Sequence, residues 1–397
     1  MDQAKPDWDD RDDDFEIEDP QEESDSGQVK LEDFDNLILA PSDWTVGTIY
    51  EQIGVQIDLD PDFQRRNVWS AKAKSKFIES IFLGVPIPQI LLTSKKGSRS
   101  SFLVLDGKQR LTTIKEFLDG KYLSGRKFNL RGLEVLDDLN GKSWEKISKD
   151  SDWKDRFLNA TLRTAVLKGW DSEPILYEIF HRLNSGSVRL SPMELRMSLH
   201  PGPFLKFIIK WTEEIGPIHH LIRKTMPDPR MNDVELAVRY LAFSDNQFTY
   251  RGNLKQFLDE CSMTYNEQFE SDPAFETQIA SRLTELNIGL EAGMEIFGER
   301  KFCRKWLGSS YEPRFNRALF DVFSWSLAVP AVRDWALGNQ NEFTNGFKTL
   351  SQEDPDFVRA IETTTKSTTN TRLRFERWQS VVKNLTGVDL TFPEIAE

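Results

Sequence analysis

The sequence predicts an α+β fold, a small-sheet N-terminal module followed by a mostly α-helical C-terminal one. Three observations carry this. Short apolar runs or alternations at Val55–Leu59, Ile87–Thr93, Ser101–Leu105 and Thr161–Leu167 all lie before residue 200, interleaved with helical patterns. From about residue 200 onward only helical periodicity is present, with no internal repeat. Ahead of both, residues 1–30 hold thirteen Asp/Glu against three Lys/Arg and few large apolar residues, the composition of a solvated, disordered tail. The predicted organisation is a tail over 1–36, an α+β domain over 37–195 and a helical domain over 196–397.

Order begins near Leu37. Residues 44–53 read as a short helix and Val55, Ile57 and Leu59 as a short strand ended by Pro61. Ser70 is placed to cap a helix over 71–83, whose Phe77, Ile78, Ile81 and Phe82 share one face and which Gly84 stops. Ile87–Thr93 and Ser101–Leu105 read as strands, the second buried on both faces. A helix over 108–118 turns Leu111, Ile114, Phe117 and Leu118 inward, with Gly120 beyond its end. Residues 121–160 are loop-rich with weak helices, and 161–167 alternate like a strand. Pro174–Leu183 reads as a helix and Asn184–Arg189 as a polar turn. Ser191-Pro192-Met193-Glu194 then combines a capping box with Pro at the first helical position. Beyond it, helices are predicted over 203–214, 232–243, 252–268, 274–296, 312–328, 341–350 and 371–386. In the last, Phe375, Trp378, Val382 and Leu385 form a stripe.

Composition narrows the function. With 39% hydrophobic residues, 11 Trp and 27 Phe there is ample material for a packed core. No run of eighteen apolar residues exists and the start is acidic, so neither a membrane span nor a secretory signal is expected. Two cysteines, Cys261 and Cys303, preclude a disulfide framework and suit a cytoplasmic protein. The net charge of −13 resides mostly in the tail, and the other 367 residues carry 51 acids and 48 bases. Within them, residues 61–110 hold ten Lys/Arg against three acids, a segment suited to an anionic ligand.

Three segments have the residue types of a phosphate site. Leu105-Asp106-Gly107-Lys108-Gln109-Arg110 joins a buried strand to a helix start, where unpaired N–H groups attract anions. Gly107 allows close approach to the backbone, Lys108 and Arg110 add cationic donors, and Asp106 can hold a metal ion or orient a water. The plainer reading makes Asp106 an N-cap and Gly107 a turn residue. Gln64 and Arg65, in Pro61–Trp69, can grip phosphate, while Phe63 and Trp69 read as core residues. Arg182 and Asn184, in Phe180–Gly186, can converge on the same ligand, or Asn184 and Gly186 can simply close a helix. Four histidines, at 181, 200, 219 and 220, form no metal pair and no HNH motif, and no P-loop or G-x-S-x-G elbow is present.

Taken in order, Pro61–Arg65, Trp69-Ser70, Gly84-Val85-Pro86-Ile87-Pro88, Asp106–Thr113, Phe180–Gly186 and Leu190–Glu194 resemble the N-terminal domain family of GmrSD-type restriction endonucleases. The resemblance covers roughly residues 40–200. Arg251-Gly252-Asn253-Leu254 and Phe315-Asn316-Arg317-Ala318-Leu319 look similar more loosely. It implies a ParB/sulfiredoxin-like fold and a nucleotide- and DNA-phosphate-binding sensor subunit of a bacterial restriction or anti-phage defence system. Such a subunit hydrolyses a nucleoside triphosphate with Mg²⁺ and works with DNA and a separate nuclease subunit. The implied catalytic residues are Asp106, also the metal ligand, and Arg110. The implied binding residues are Gln64, Arg65, Gly107, Lys108, Gln109, Thr112, Arg182 and Asn184. Lys108 stands where the family has Gln. The alternatives are a nucleic-acid-binding interaction protein without turnover and a metal-dependent DNA nuclease using Asp106.

Overall fold

The computed structural model describes residues 34–57, 59, 69–94, 101–170, 175, 176, 179, 191–362 and 367–396. They fall into two compact units divided after Pro201, with residues 229–231 grouped with the first.

The first unit is built on four strands, β1 (Ile38–Thr45), β2 (Ile90–Ser94), β3 (Phe102–Asp106) and β4 (Thr161–Lys168), in the order β1-β4-β2-β3. β4 runs antiparallel to β1 and parallel to β2, and β2 runs antiparallel to β3, so the sheet is mixed. Its helices are α1 (Val46–Gln52), α2 (Ala71–Leu83), α3 (Lys108–Leu118), α4 (Trp144–Ile147), α5 (Ser151–Leu158) and α6 (Pro192–Leu199). Strand alternation divides the core between the two faces of the sheet. Ile90, Leu92, Val104, Leu162 and Val166 pack with Ile78, Ile81 and Phe82 of α2 and Leu111, Ile114 and Phe117 of α3. Leu91, Leu105, Ala165 and Leu167 face the other way, against Leu176 and Leu199. β3 is thus buried on both faces, as predicted. Phe117 anchors the larger core, its ring centroid 5.3–6.3 Å from those of Phe82, Phe128, Trp144 and Phe157.

Two N-terminal expectations need correction. Residues 44 and 45 end strand β1, and the helix starts at Val46, with Thr45 Oγ1 accepting the Thr48 N–H at 3.2 Å. β1 escapes a periodicity reading because it is an edge strand with Ile38 and Leu39 exposed and Pro41 within it, which only an edge tolerates. Val55 and Gln56, the start of the strand predicted at 55–59, form a turn instead. Gly54 N–H donates back to the Ile57 carbonyl at 2.8 Å, Val55 is exposed, and Ile57 makes single bridges to Ile53 and Phe102. The predicted helix over 174–183 lies mostly outside the described residues, and the acidic tail as far as residue 33 lies wholly outside them.

The α2 boundaries follow the predicted signals. Ser70 Oγ accepts the Ala73 N–H, and Gly84 closes the helix in the left-handed region. α2 also organises the loop-rich stretch. Buried Glu79 accepts the backbone N–H groups of Glu134, Val135 and Leu136 at 2.8–3.2 Å. Burial alone raises the Glu79 pKa. The three N–H groups and the nearby Lys76 charge outweigh it and hold the carboxyl below its ordinary 4.5.

In the second unit, helices occupy Pro203–Trp211, Pro217–Leu221, Asn232–Phe243, Leu254–Ser271, Phe275–Phe297, Arg317–Leu327, Pro330–Gly338, Gln340–Glu353, Pro355–Glu362 and Thr368–Thr386. Pro217–Leu221, Pro330–Gly338 and Pro355–Glu362 form where the sequence reading places no helix. The two looser motifs act as caps. Asn253 accepts the Gln256 N–H at 2.9 Å, and Asn316 accepts that of Leu319 at 2.8 Å, so the helix predicted from 312 begins only at Arg317. Phe375, Trp378 and Val382 are buried as the stripe requires. Three helices meet at Asp321, which receives Arg239 Nε and Nη2 at 3.0 and 2.7 Å and Arg374 Nη2 at 3.0 Å, all three side chains fully buried.

Removing one partner of such a buried network strands the other charges. Asp321→Ala should cost about 3–5 kcal/mol of folding stability, measured by denaturant unfolding. Glu79 makes a pH-dependent contribution. Its folded pKa is depressed, so the stabilisation is complete above pH 4.5 and is lost as pH falls through the folded value. Glu79→Gln should lower stability at neutral pH by about 1–3 kcal/mol and flatten that part of the acid-unfolding profile.

Candidate functional site

The geometry centres on the β3–α3 junction. Between β2 and β3 the register slips, so that Leu91 faces Asp106 while Leu92 faces Val104. An irregularity of this kind re-aims the side chain at the strand end. Asp106 leaves the sheet half-buried, and Gly107 turns the chain with φ of 100°. The space here is tight. A Cβ on Gly107 would stand 3.0 Å from Ile90 Cγ1 and 3.4 Å from Arg110 Nη2.

Gly107 is the N-cap of α3, and no side chain caps the helix. The reading of Asp106 as N-cap is therefore corrected. Its carboxylate Oδ2 accepts Arg110 Nη2 at 2.5 Å. The Arg110 guanidinium also donates through Nη1 to the Pro88 carbonyl, and to that of Gln89 at 3.3 Å. Arg110 is 7% exposed. Its fork is spent on the protein, fixing Asp106 and the approach to β2 in one arrangement. The N–H groups of Lys108, Gln109 and Arg110 have no intrahelical acceptor, because the first intrahelical bond is that of Leu111 N–H to the Gly107 carbonyl at 2.9 Å.

Lys108 and Gln109 are half-buried at this turn, and Gln109 Oε1 is buried with no hydrogen-bond partner among the described residues. Thr112 is buried one turn further on. Lys108 and Arg230 lie within electrostatic reach of Glu194. Glu194 belongs to the predicted capping box, which forms in full. Ser191 Oγ accepts the Glu194 N–H at 3.1 Å, and Glu194 Oε2 accepts the Ser191 N–H at 2.6 Å. Burial raises the Glu194 pKa, against the opposing pull of the Ser191 N–H, Lys108 and Arg230. The capping Glu194 thus also places a buried carboxyl within electrostatic reach of the turn.

The structure therefore brings together Asp106, Gly107, Lys108, Gln109, Arg110 and, beneath them, Thr112. Gln64, Arg65, Arg182 and Asn184 lie outside the described residues. Of the ten Lys and Arg residues of the basic segment, Arg65, Arg66, Lys95, Lys96 and Arg99 lie outside the described residues. Lys74 pairs with Glu116, Lys76 with Glu134 and Arg110 with Asp106. Among the described residues no group of three or more His, Cys, Asp or Glu side chains could hold a metal ion, and no helix is long and apolar enough to cross a membrane.

A phosphate group could be met at this turn by backbone N–H donors and by the Lys108 cation, with a carboxylate held alongside. Mg²⁺ usually binds through one or two carboxylates together with substrate phosphates. One carboxylate fits that shared mode and not an all-protein cage.

Residues 46–201 match the family described as GmrSD restriction endonuclease, N-terminal domain. No curated protein and no solved structure matches the chain.

Gly107→Ala should destabilise the first unit by about 1–2 kcal/mol from the left-handed backbone alone, with a further cost from the contact with Ile90. Thermal unfolding measures it, and a melting point equal to wild type would contradict the tight turn.

Proposed function

Residues 46–201 belong to the N-terminal domain family of GmrSD restriction endonucleases, and from that premise we propose a nucleotide- and DNA-phosphate-binding sensor subunit of a restriction or anti-phage defence system, hydrolysing a nucleoside triphosphate at the Asp106 turn. One observation carries the reading. The helix start after β3 has no side-chain cap, has Lys108 in its first turn and adjoins a carboxylate locked in place by Arg110.

In this reading the terminal phosphates dock on the N–H groups of residues 108–110, and Lys108 supplies charge. Asp106 orients a water or shares Mg²⁺ with the phosphates; the ion supplies Lewis-acid stabilisation of phosphoryl charge. Arg110 is a positioning residue, because its guanidinium is bound to Asp106 and the Pro88 carbonyl. Gly107 gives the turn its left-handed backbone and room for Ile90 and Arg110, while Gln109 and Thr112 support the turn. Gln64, Arg65, Arg182 and Asn184 complete the phosphate grip, and DNA and a separate nuclease subunit are the proposed partners. The Asp106–Arg110 pair also favours a second reading, a phosphate grip without turnover, since a carboxylate closed on a buried arginine serves equally well as a structural pin.

Phosphate release from ATP and GTP, measured alongside ligand-induced thermal stabilisation, separates the two readings. Lys108→Ala should weaken nucleotide binding by about 1–3 kcal/mol, the scale of a charged hydrogen bond. Asp106→Asn should spare binding and abolish release. Binding without release in the wild type would leave the grip alone, and neither in the wild type would remove the site.

A further inference from the structure

The opposite end of α3 lines a second feature. The start of α2, the C-terminal half of α3 and residues 122–131 enclose a cavity of about 740 Å³. Four of its ten lining residues are Lys or Arg, and Glu116 is the single acid. That acid is already committed. Its Oε2 accepts Lys74 Nζ and its Oε1 accepts the Leu123 N–H at 3.0 Å. Both members of the Lys74–Glu116 pair are buried, at 3% and 2% exposure. Burial lowers the Lys74 pKa, opposed by the Glu116 carboxylate.

The pair cancels its own charge, so Arg126, Lys127 and Arg131 remain as a net positive rim. All three are exposed, and among the described residues none has a carboxylate within ion-pair distance. Between them and the floor stands Tyr122. Its ring stacks on Phe128 with centroids 4.4 Å apart, and Lys74 Nζ lies 5.3 Å from its centroid on the cavity wall. The Tyr122 hydroxyl is buried with no hydrogen-bond partner among the described residues. Burial raises the phenol's pKa and the Glu116 carboxylate adds to it, while Arg131 and Arg126 act in the opposite direction, so both guanidinium charges and that carboxylate lie within electrostatic reach of the hydroxyl. A buried O–H donor without an acceptor, next to two forked cations, is a set of groups that a phosphate oxygen would satisfy. A cation would face three uncompensated positive charges, and a neutral apolar molecule would leave the phenol unpaired.

We propose that this cavity binds the phosphate groups of a nucleotide-sized ligand, at a site separate from the Asp106 turn and carried by the other end of the same helix. Arg126 and Arg131 fork onto the phosphate oxygens, Tyr122 donates its hydroxyl, and Lys74 sets the charge of the floor through Glu116. The site does not depend on hydrolysis at Asp106.

The test is calorimetric titration of the full chain with sodium tripolyphosphate, with ATP, and with a DNA duplex lacking terminal phosphates. The wild type should bind tripolyphosphate and ATP. Arg126→Ala with Arg131→Ala should weaken tripolyphosphate by at least about tenfold, since each lost bond is charged. Tyr122→Phe should weaken it several-fold with an unchanged melting point. Lys149→Ala with Lys154→Ala removes two exposed charges from elsewhere on the domain and should leave binding unchanged. Lys108→Ala should leave this site in place, which keeps its fate distinct from that of the Asp106 turn. Absence of tripolyphosphate and ATP binding by the wild type would overturn the proposal, as would equal binding by the arginine double variant. Duplex binding that tripolyphosphate does not compete away would assign the rim to a nucleic-acid backbone and overturn the nucleotide-sized ligand.

Discussion

The Arg110 guanidinium is the constraint around which the first unit is arranged. It binds the Asp106 carboxylate at the end of β3 and the carbonyls of Pro88 and Gln89 just before β2, while itself belonging to α3. One planar group thus holds three chain segments, and only a planar fork with several donors can do so. Its position requires the absence of a side chain at residue 107, where Ile90 and the guanidinium occupy the space. With α3 launched in that direction, Leu111, Ile114 and Phe117 reach the core at the spacing of a helix face, and Glu116 reaches Lys74.

The same chemistry explains what became of the basic segment. Among its described residues, Lys74 and Lys76 are paired with acids distant in sequence, Glu116 and Glu134. Among the described residues, positive charge without an ion-pair partner lines a cavity rim at Arg126, Lys127 and Arg131, a stretch that does not stand out in the sequence. The second unit buries one charge network outright. Asp321 links three helices through Arg239 and Arg374, an arrangement that is costly to desolvate and strict in geometry.

Much of the local structure was legible because it is specified by neighbours in the chain. The caps at Ser70 and Ser191, the stop at Gly84, the inward face of α3 and the stripe of Phe375, Trp378 and Val382 depend on residues within a turn or two of one another. The Asp106–Arg110 string was recognisable on the same ground, since strand end, turn and helix start are contiguous. β1 was not legible. Its identity as a strand rests on pairing with β4, more than a hundred residues away, and its exposed Ile38 and Leu39 imitate no buried pattern. The turn at Val55 failed in the opposite way, showing an alternation that tertiary pairing never used.

The order of residues alone makes legible a mixed N-terminal module, a helical C-terminal one, and a strand–turn–helix with Asp106, Gly107 and Lys108 at its centre. It does so because hydrophobic period, capping and backbone permissiveness act over a few residues. Long-range packing settles the rest: Arg110 faces inward onto Asp106 rather than outward, Glu194 comes within electrostatic reach of Lys108, and Lys74, Tyr122 and Arg131 share one cavity. Those outcomes depend on which distant donor and acceptor meet once the core has closed, and a buried polar group takes the partner that packing brings to it.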